Sequence, residues 1–252
     1  MRVLASRKGF SLVELLTVIA IIAVLAGIIF PVMGLVGEKA RMNKCMVQLH
    51  EIGLAVQMFK QDNRKYPDIL GSEVMLNGVN VVPMDQPRPI PTPKVTGLFP
   101  EYVKAARLYH CPDSKIIDTT AVVHYDPLGD GTGIDAYSYN SYDFMVDGTN
   151  VEQHYSKSWV VAASGQTPED AVKALIPDDT TPPIATGDAE RDYERQLKFR
   201  TPPDDTVITW CSWHELPGPR GRTPTLFLDG HADALPAGDV ETYKWRVLPK
   251  KE

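Results

Sequence analysis

The stretch of residues 12–36 constrains this chain more than any other. It is 25 residues long, and only Glu14 and Thr17 in it are strongly polar. A helix rises about 1.5 Å per residue, so this stretch can cross the roughly 30 Å hydrocarbon core of a bilayer. Three basic residues precede it: Arg2, Arg7 and Lys8. The sequence therefore predicts a membrane-spanning helix at residues 12–36.

Three interpretations of this stretch compete. A secretory signal peptide also begins with basic residues, but its apolar core is about half as long and ends at a small-residue cleavage site. A plain membrane anchor fits the length, yet it gives no reason for Glu14, whose ionised carboxylate costs a few kcal/mol in hydrocarbon unless it snorkels to the interface. The third interpretation accounts for the acid as well as the length.

The segment Gly9-Phe10-Ser11-Leu12-Val13-Glu14 resembles the processing site of type IV pilins and type II secretion pseudopilins. The resemblance implies that a prepilin peptidase cuts between Gly9 and Phe10 and that the new amino terminus of Phe10 is methylated. Glu14 becomes the fifth residue of the mature chain. In a filament, the ammonium of Phe10 on one subunit can neutralise Glu14 of its neighbour where both are shielded from water. The carboxylate would then serve assembly.

The helical pattern continues beyond the apolar stretch. Apolar residues recur at three- and four-residue steps and form one face, which we expect to pack on the rest of the chain. That face contains Met42, Cys45, Met46, Leu49, Ile52, Gly53, Val56 and Phe59. Much of the remaining surface is polar: Lys39, Arg41, Lys44, Gln48 and Glu51. The pattern ends near Tyr66-Pro67, because the residue before a proline disfavours helix. Residues 57–67 are similar to the stem end of major pseudopilins.

Pro31 lies inside this long helix, with Gly27, Gly34 and Gly37 nearby. Proline removes a backbone hydrogen bond, so the sequence predicts a kink or local melting there. The family resemblance implies that this region unwinds on assembly. A kinked helix that lipid simply tolerates is the other interpretation.

Four parts follow from these patterns. Residues 1–9 are a cytoplasmic leader, 10–36 a transmembrane and assembly helix, 37–62 an amphipathic stem helix, and 63–252 an extracytoplasmic head. About 190 residues are enough for the head to bury its own core. The predicted fold class is α+β, with a long amino-terminal helix and a head built on a small antiparallel β-sheet and long loops.

The head has short strand patterns separated by polar, proline-rich stretches. Strands are predicted at 136–144, 159–163, 206–213, 225–228, 231–235 and 243–248. A short helix or turn is predicted to end near Tyr109, and a charged helix at 188–199. Residues 68–100 are rich in proline and predict an irregular connection.

A second resemblance covers the head. Residues 98–103, 110–113, 138–140 and 227–231 are similar to a pilin-like family whose tail carries a histidine, a nine-residue spacer and Asp-Gly. Here fourteen residues separate His214 from Asp229-Gly230. The longer spacing predicts a longer hairpin loop, and it leaves any role that depends on the family's spacing without support.

Three cysteines allow more than one arrangement. The basic leader stays in the cytoplasm and places the head outside, where disulfides can form. Cys111 and Cys211 could pair or could be free and buried, and spacing does not decide between them. Cys45 lies on the stem helix. We find no Cys-x2-Cys, haem-attachment or Cys/His zinc spacing, so haem and structural zinc have no support from the sequence.

The tail offers a candidate cluster. Asp229, His231 and Asp233 alternate, so on a strand they would share one face, as metal ligands or catalytic groups can. Asp229-Gly230 between apolar segments is also a strong hairpin-turn signal, in which case His231 only begins the returning strand. The turn is the favoured interpretation.

Calcium is the candidate metal. Asp126, Asp130, Thr132 and Asp135 lie in a Gly-rich loop and offer the oxygen ligands that calcium takes. Major pseudopilins are similar in having a calcium-binding loop in the head. The spacing is not that of an EF-hand, and polar turns rich in Asp and Gly are common. Calcium at this loop or at Asp229 in the tail is therefore the alternative interpretation, an ordinary polar turn is the favoured one, and no other cofactor is predicted.

No nucleophile triad, phosphate loop or dinucleotide fingerprint is present, so we expect no enzyme. The net charge of −6 argues against a nucleic-acid partner.

The resemblance implies a structural subunit of a type IV pilus-like fimbrium or a type II protein-secretion pseudopilus, anchored in the inner membrane and later part of a periplasmic or extracellular filament. The implied partners are other pilin-like subunits, prepilin peptidase, the inner-membrane assembly platform and membrane lipid. The alternative is a membrane-anchored ectodomain that binds a ligand or performs hydrolysis.

Overall fold

A computed structural model describes residues 11–72, 83–84, 96–125, 133–148, 150–175, 189–214 and 221–250. The longest element is helix α1, Leu12–Asn63, with 52 residues. The chain divides into two units, one ending at Arg41 and the other beginning at Met42. The second unit therefore contains both the carboxy-terminal part of α1 and the head.

In the first unit, α1 carries apolar side chains on every side. Its segment Leu12–Phe30 has a mean hydropathy of 2.8 and none of it is buried. This segment is long and apolar enough to cross a membrane, as predicted. Helix continues without a break through Pro31, so the local melting predicted there is absent from this structure. Unwinding on assembly stays a prediction.

In the second unit, α1 is amphipathic and its apolar face is buried. Cys45, Leu49, Ile52 and Val56 are completely buried, which confirms the predicted face. Gln48 was wrongly assigned to the polar surface, because its amide reaches inward and donates to the carbonyl oxygens of residues 107 and 110 at 3.1 and 3.2 Å.

Gly53 sets how closely α1 approaches the sheet. A Cβ atom at this position would lie 3.2 Å from Leu226 Cδ1. That distance is tighter than ordinary van der Waals contact, so glycine permits the helix to lie directly on the sheet.

All strand pairs of the described residues are antiparallel, and the helices after α1 are short. The largest sheet has the order β5-β6-β7, and the other two are hairpins. The strands are β1 Val122–Tyr125, β2 Ile134–Tyr137, β3 Phe144–Asp147, β4 Asn150–Gln153, β5 Val207–Trp210, β6 Arg222–Phe227 and β7 Ala232–Pro236. The helices are α2 Pro168–Leu175, α3 Ala189–Glu194 and α4 Ala237–Tyr243, with 3-10 helices at Ala106–Tyr109, Ser212–His214 and Lys244–Arg246. This is the predicted α+β fold.

Two large core clusters and a small third one, formed by Ile69, Ala136 and Phe144, hold the second unit together. The first surrounds the buried face of α1 and includes Tyr109, Tyr142 and Leu226. The second lies on the other part of the large sheet and includes Trp210, Phe227 and Trp245. Because β6 contributes to both clusters, it is the central structural element of the head.

Three strand predictions are wrong, each for a local reason. Residues 136–144 do not form one strand, because Asn140 Oδ1 accepts hydrogen bonds from the amides of Tyr142 and Asp143 and turns the chain between β2 and β3. Residues 159–163 form no strand, because side chains occupy both backbone groups of Val160. Gln196 Oε1 accepts a hydrogen bond from the Val160 amide at 2.9 Å, and Lys198 Nζ donates to the Val160 carbonyl at 2.6 Å. Residues 243–248 contain a 3-10 helix in place of a strand, because Arg246 is drawn inward to a buried carboxylate.

A buried carboxylate fixes the segment that follows α1. Asp143 is almost completely buried and accepts hydrogen bonds from the amides of Leu70 and Gly71, both at 2.8 Å. The side-chain amide of Asn140 donates to it at 2.5 Å. Burial nevertheless raises the pKa of Asp143 to about 6. Its protonation state therefore changes in the mildly acidic range.

Candidate functional site

The amino-terminal end of α1 is closed by its own side chains. The amide of Ser11 donates to Glu14 Oε2 at 2.9 Å, and the amide of Val13 donates to Ser11 Oγ at 3.4 Å. This reciprocal arrangement is a capping box, which satisfies amides that have no partner in the first turn of a helix. Glu14 thus has a role in the single chain, which the sequence reasoning did not identify. Gly9 and Phe10 lie outside the described residues.

The surface around Glu14 is almost entirely apolar and fully open. Leu12 is 77% exposed and Phe30 is 73% exposed. Removing such a surface from water is worth about 25 cal/mol for each Å². The segment therefore needs lipid or other protein chains around it. The side chain of Pro31 lies outside the description, and its role in assembly stays a prediction.

The tail residues form the predicted hairpin turn. Gly230 has a φ of +92°, and its amide donates to the carbonyl of Phe227 at 3.0 Å. The turn contacts α1: His50 Nδ1 lies 2.8 Å from the carbonyl oxygen of Gly230, and Gln57 Nε2 donates to that of Leu228 at 3.3 Å. The turn between β6 and β7 therefore fastens the sheet to the stem helix.

The alternating acids beside this turn surround one imidazole. His231 Nδ1 lies 2.5 Å from Asp229 Oδ1, and His231 Nε2 lies 3.5 Å from Asp233 Oδ2. The three side chains are close together, as alternation predicts, but both ring nitrogens already face carboxylates. The contacts favour the turn interpretation over a catalytic or metal site.

The predicted calcium ligands lie in different surroundings. Asp135 Oδ1 lies 2.7 Å from His124 Nδ1 across the β1-β2 pair, whereas Asp229 contacts His231 in the tail. Neither aspartate belongs to the groups of ligand side chains that the described part of the chain brings together. Asp126, Asp130 and Thr132 lie outside the described residues, and calcium at that loop stays a prediction.

The cysteines occupy one buried cluster. Of the two alternatives for Cys111 and Cys211, this structure has the free, buried one, and all three cysteines are free. The sulfurs of Cys45, Cys111 and Cys211 and one ring nitrogen of His214 all lie within 4.8 Å of one another. The three cysteines are 0% exposed and His214 is 3% exposed. Four side chains that commonly bind soft metals therefore meet in the core of the head.

Three separate parts of the chain bring the cluster together. Cys45 lies on the buried face of α1, and Cys111 follows the 3-10 helix Ala106–Tyr109. Cys211 directly follows β5, and His214 ends the 3-10 helix Ser212–His214. The amide of Cys211 donates to the carbonyl of Pro224 at 2.9 Å, which holds this end of β5 to β6.

Polar groups around the cluster contact the sulfurs and the imidazole. His214 Nε2 lies 3.2 Å from Cys111 Sγ, and His214 Nδ1 lies 2.6 Å from Asp113 Oδ2. The amide of Asp113 donates to Cys111 Sγ at 3.4 Å, and the Tyr142 hydroxyl lies 3.3 Å from Cys45 Sγ. Burial raises the pKa of the Cys45 thiol, whereas hydrogen bonds from the neighbouring thiols lower the pKa of Cys111.

A second buried polar network joins α3 to the carboxy-terminal segment. Arg246 Nε donates to Asp192 Oδ2 at 2.7 Å, and Arg195 Nε lies 3.3 Å from Asp205 Oδ1. Arg195 also donates to the carbonyls of residues 246 and 247 at 3.0 and 2.7 Å. Each buried charge faces an opposite charge, which is the condition for burying ions without a large loss of stability. We interpret this network as structural.

Comparison with known proteins concerns the amino-terminal part of the chain. Residues 4–30 match the family described as the prokaryotic N-terminal methylation motif. The type II secretion system core protein G of Pectobacterium carotovorum subsp. carotovorum is 35% identical over 85 residues, which cover 33% of this chain and 51% of the relative. That of Escherichia coli (strain K12) is 39% identical over 69 residues, which cover 27% of this chain and 46% of the relative. The amino-terminal region is therefore similar to that of type II secretion system core protein G, and it contains the N-terminal methylation motif.

The pseudopilin likeness covers only part of each protein. The chain spans about half the length of the curated relatives it matches. No solved structure matches the chain. This likeness therefore covers the methylation motif and the apolar helix, while the interpretation of the head rests on its own contacts.

The cysteine cluster of this pilin-like chain is the feature that sequence reasoning missed. The Cys-x2-His spacing at Cys211 and His214 was present in the sequence but was overlooked. The other two cysteines lie 100 and 166 residues before Cys211. Only tertiary packing brings Cys45 and Cys111 next to Cys211 and His214. The Cys-x2-His spacing of the latter two was therefore the local signal that could have indicated the site.

Proposed function

We propose that the chain is a non-enzymatic structural subunit of a type II secretion pseudopilus or a related type IV filament. One observation carries the proposal: a 19-residue apolar helix segment that contains no buried residue overlaps the N-terminal methylation motif at residues 4–30. A surface of this kind must be covered by lipid before assembly and by other subunits afterwards. The full set of partners and the secreted substrate belong to the proposal.

The mechanism begins with processing. Prepilin peptidase cuts between Gly9 and Phe10, and the amino group of Phe10 is methylated. The subunit remains in the inner membrane by its apolar helix, with the head outside, because the basic leader stays in the cytoplasm. An inner-membrane assembly platform then moves it into a periplasmic or extracellular filament, where the apolar segments of several subunits bury one another.

Glu14 changes partner during this process. In the single chain its carboxylate accepts a hydrogen bond from the amide of Ser11. In the filament it faces the ammonium of Phe10 on a neighbouring subunit, which compensates the charge in an apolar surrounding. The charge therefore favours one register of assembly, because other registers leave both charges unpaired.

Two substitutions at Glu14 test this proposal. Glu14→Ala removes the charge and the cap, whereas Glu14→Gln removes the charge and keeps an acceptor for Ser11, since glutamine also forms capping boxes. We expect both variants to insert into the membrane normally and both to reduce filament yield by at least about tenfold, because a lost buried pair costs roughly 3–5 kcal/mol. Filaments are counted by imaging cells whose subunit carries a tag on an exposed loop.

Leu16→Ala is the comparison variant, because it changes an exposed apolar residue of the same helix and no charge, so any loss of filament yield that it causes comes from apolar contact alone. Normal filament yield from Glu14→Gln with reduced yield from Glu14→Ala would assign the role of Glu14 to capping. Normal yield from both variants would overturn the pairing mechanism.

A further inference from the structure

We propose that Cys45, Cys111, Cys211 and His214 form a closed tetrahedral site for a structural zinc ion. Three thiol sulfurs and one imidazole nitrogen are one of the ligand sets that structural zinc takes in proteins. These four side chains lie in the core of the head, where their ligand atoms are all within 4.8 Å of one another. The site goes beyond the filament function, because it concerns how the head holds its shape.

The separations fit tetrahedral coordination. Zinc binds cysteine sulfur at about 2.3 Å, so two sulfurs on one tetrahedral ion lie roughly 3.8 Å apart. In the cluster, no two of the four ligand atoms are more than 4.8 Å apart, which exceeds the sulfur–sulfur distance on a tetrahedral ion by only about 1 Å. Cys111 Sγ lies 3.2 Å from His214 Nε2. Shifts of less than about 1 Å in side-chain positions would complete the geometry.

The contacts around the ligands are those that zinc sites use. His214 directs Nε2 toward the cysteines while Nδ1 lies 2.6 Å from Asp113 Oδ2, so the carboxylate lies beside the ring nitrogen that does not face the sulfurs. Carboxylates commonly hold metal-binding histidines in this way. The amide of Asp113 also donates to Cys111 Sγ at 3.4 Å, which stabilises negative charge on that sulfur.

A disulfide would engage only two of these four side chains, whereas a zinc ion would engage all four. One S–S bond would consume two cysteines and leave a third thiol and the Asp113-oriented imidazole beside it in the core. Zinc uses all four: the three thiols release three protons to solvent, and the dication with three thiolates and a neutral imidazole leaves one net negative charge. Four protein ligands leave no position for water or substrate, so the ion would be structural.

The ion would connect distant parts of the chain. Its ligands come from α1, from the loop after Tyr109 and from the end of β5, and 66 and 100 residues separate the three cysteines in sequence. Because Cys45 lies on the stem helix, one bond of the ion would fasten that helix to the head. The hairpin turn at Gly230 fastens the same helix through His50.

The first test measures metal in the wild-type protein. The full chain is purified in detergent without chelator, and zinc, iron and copper are quantified by mass spectrometry together with the free thiols. We expect about one zinc per chain, as for a specific structural site, and cobalt replacement should give the visible absorption of tetrahedral cobalt thiolates. One equivalent of iron or copper would overturn the choice of zinc. A disulfide with no bound metal, or three free thiols that take up no zinc when it is supplied, would overturn the site.

The second test removes ligands one at a time. Cys45→Ser, Cys111→Ser, Cys211→Ser and His214→Asn should each lower the bound zinc at least about tenfold, because each removes one of four bonds. His154→Asn is the matched control, since His154 is also a completely buried histidine but lies outside the cluster. Full zinc content in any ligand variant that stays folded would remove that residue from the site. If the variants do not fold, the wild-type metal and cobalt measurements decide alone.

Discussion

The two parts of helix α1 contain similar apolar residues but place them in opposite surroundings. Leu16 is 56% exposed in the amino-terminal part, whereas Leu49 is completely buried in the part that belongs to the head. The head covers the second part with its own core. The first part is exposed and apolar where the structure describes it. The difference teaches that the same residue types serve the core of the head in one part and are open to other molecules in the other.

The largest expected effect comes from changing one leucine in each part. Leu49→Ala should destabilise the head by about 2–5 kcal/mol, because it removes a buried side chain and leaves a cavity. Leu16→Ala should leave the head unchanged, since that side chain is 56% exposed and belongs to neither large core cluster of the described residues. Denaturation in detergent, followed by tryptophan fluorescence, measures the head alone because all four tryptophans lie there: Trp159, Trp210, Trp213 and Trp245.

The same pair should behave in the opposite way in assembly assays. Leu16→Ala changes a surface that we assign to neighbouring subunits, whereas Leu49 is not accessible to them. Equal destabilisation of the head by the two variants would contradict the division of α1 into an externally covered and an internally covered part.

A smaller effect concerns pH and distinguishes the head further. The pKa of Asp143 is raised to about 6 from an ordinary value of 3.8 by burial. The unfolded state therefore loses this proton first, and the folded state holds more protons between these values. The protonated Asp143 side chain therefore makes its full contribution to the stability of the folded state below about pH 4. That contribution falls by about 3 kcal/mol in total as the pH rises to about 6.

Asp143→Asn should remove this dependence, because asparagine does not titrate. Denaturation curves of both proteins between pH 4 and pH 7 measure the difference in slope. Asp135→Asn serves as the control, since Asp135 is a partly exposed carboxylate beside a histidine. A wild-type slope that persists in Asp143→Asn would show that another group is responsible.

Sequence reasoning worked best where the pattern is local and repeats along one element. The apolar run, the buried face around Leu49 and the turn at Gly230 were all predicted, because helix and turn signals lie within a few neighbouring residues. The prediction was wrong where a side chain bonds to a distant backbone group. Gln196, for example, takes the amide of Val160 and prevents the strand predicted there.

The candidate metal site shows the same limit more strongly. Cys45 and Cys111 have no local pattern that relates them to Cys211, and only the packing of α1 on the sheet brings the three together. The disulfide alternative therefore named two members of the cluster and omitted the other two. Buried polar networks such as Asp192 with Arg246 were likewise not predictable, since a charged helix pattern does not indicate which charges turn inward.

The most direct test of the account is the mass of the amino terminus in the membrane fraction. We predict a mature chain that begins at Phe10, carries a methyl group on its amino nitrogen and lacks residues 1–9. An intact Met1 on chains that are normally retained in the membrane would contradict the filament-subunit account and would favour a membrane-anchored ectodomain.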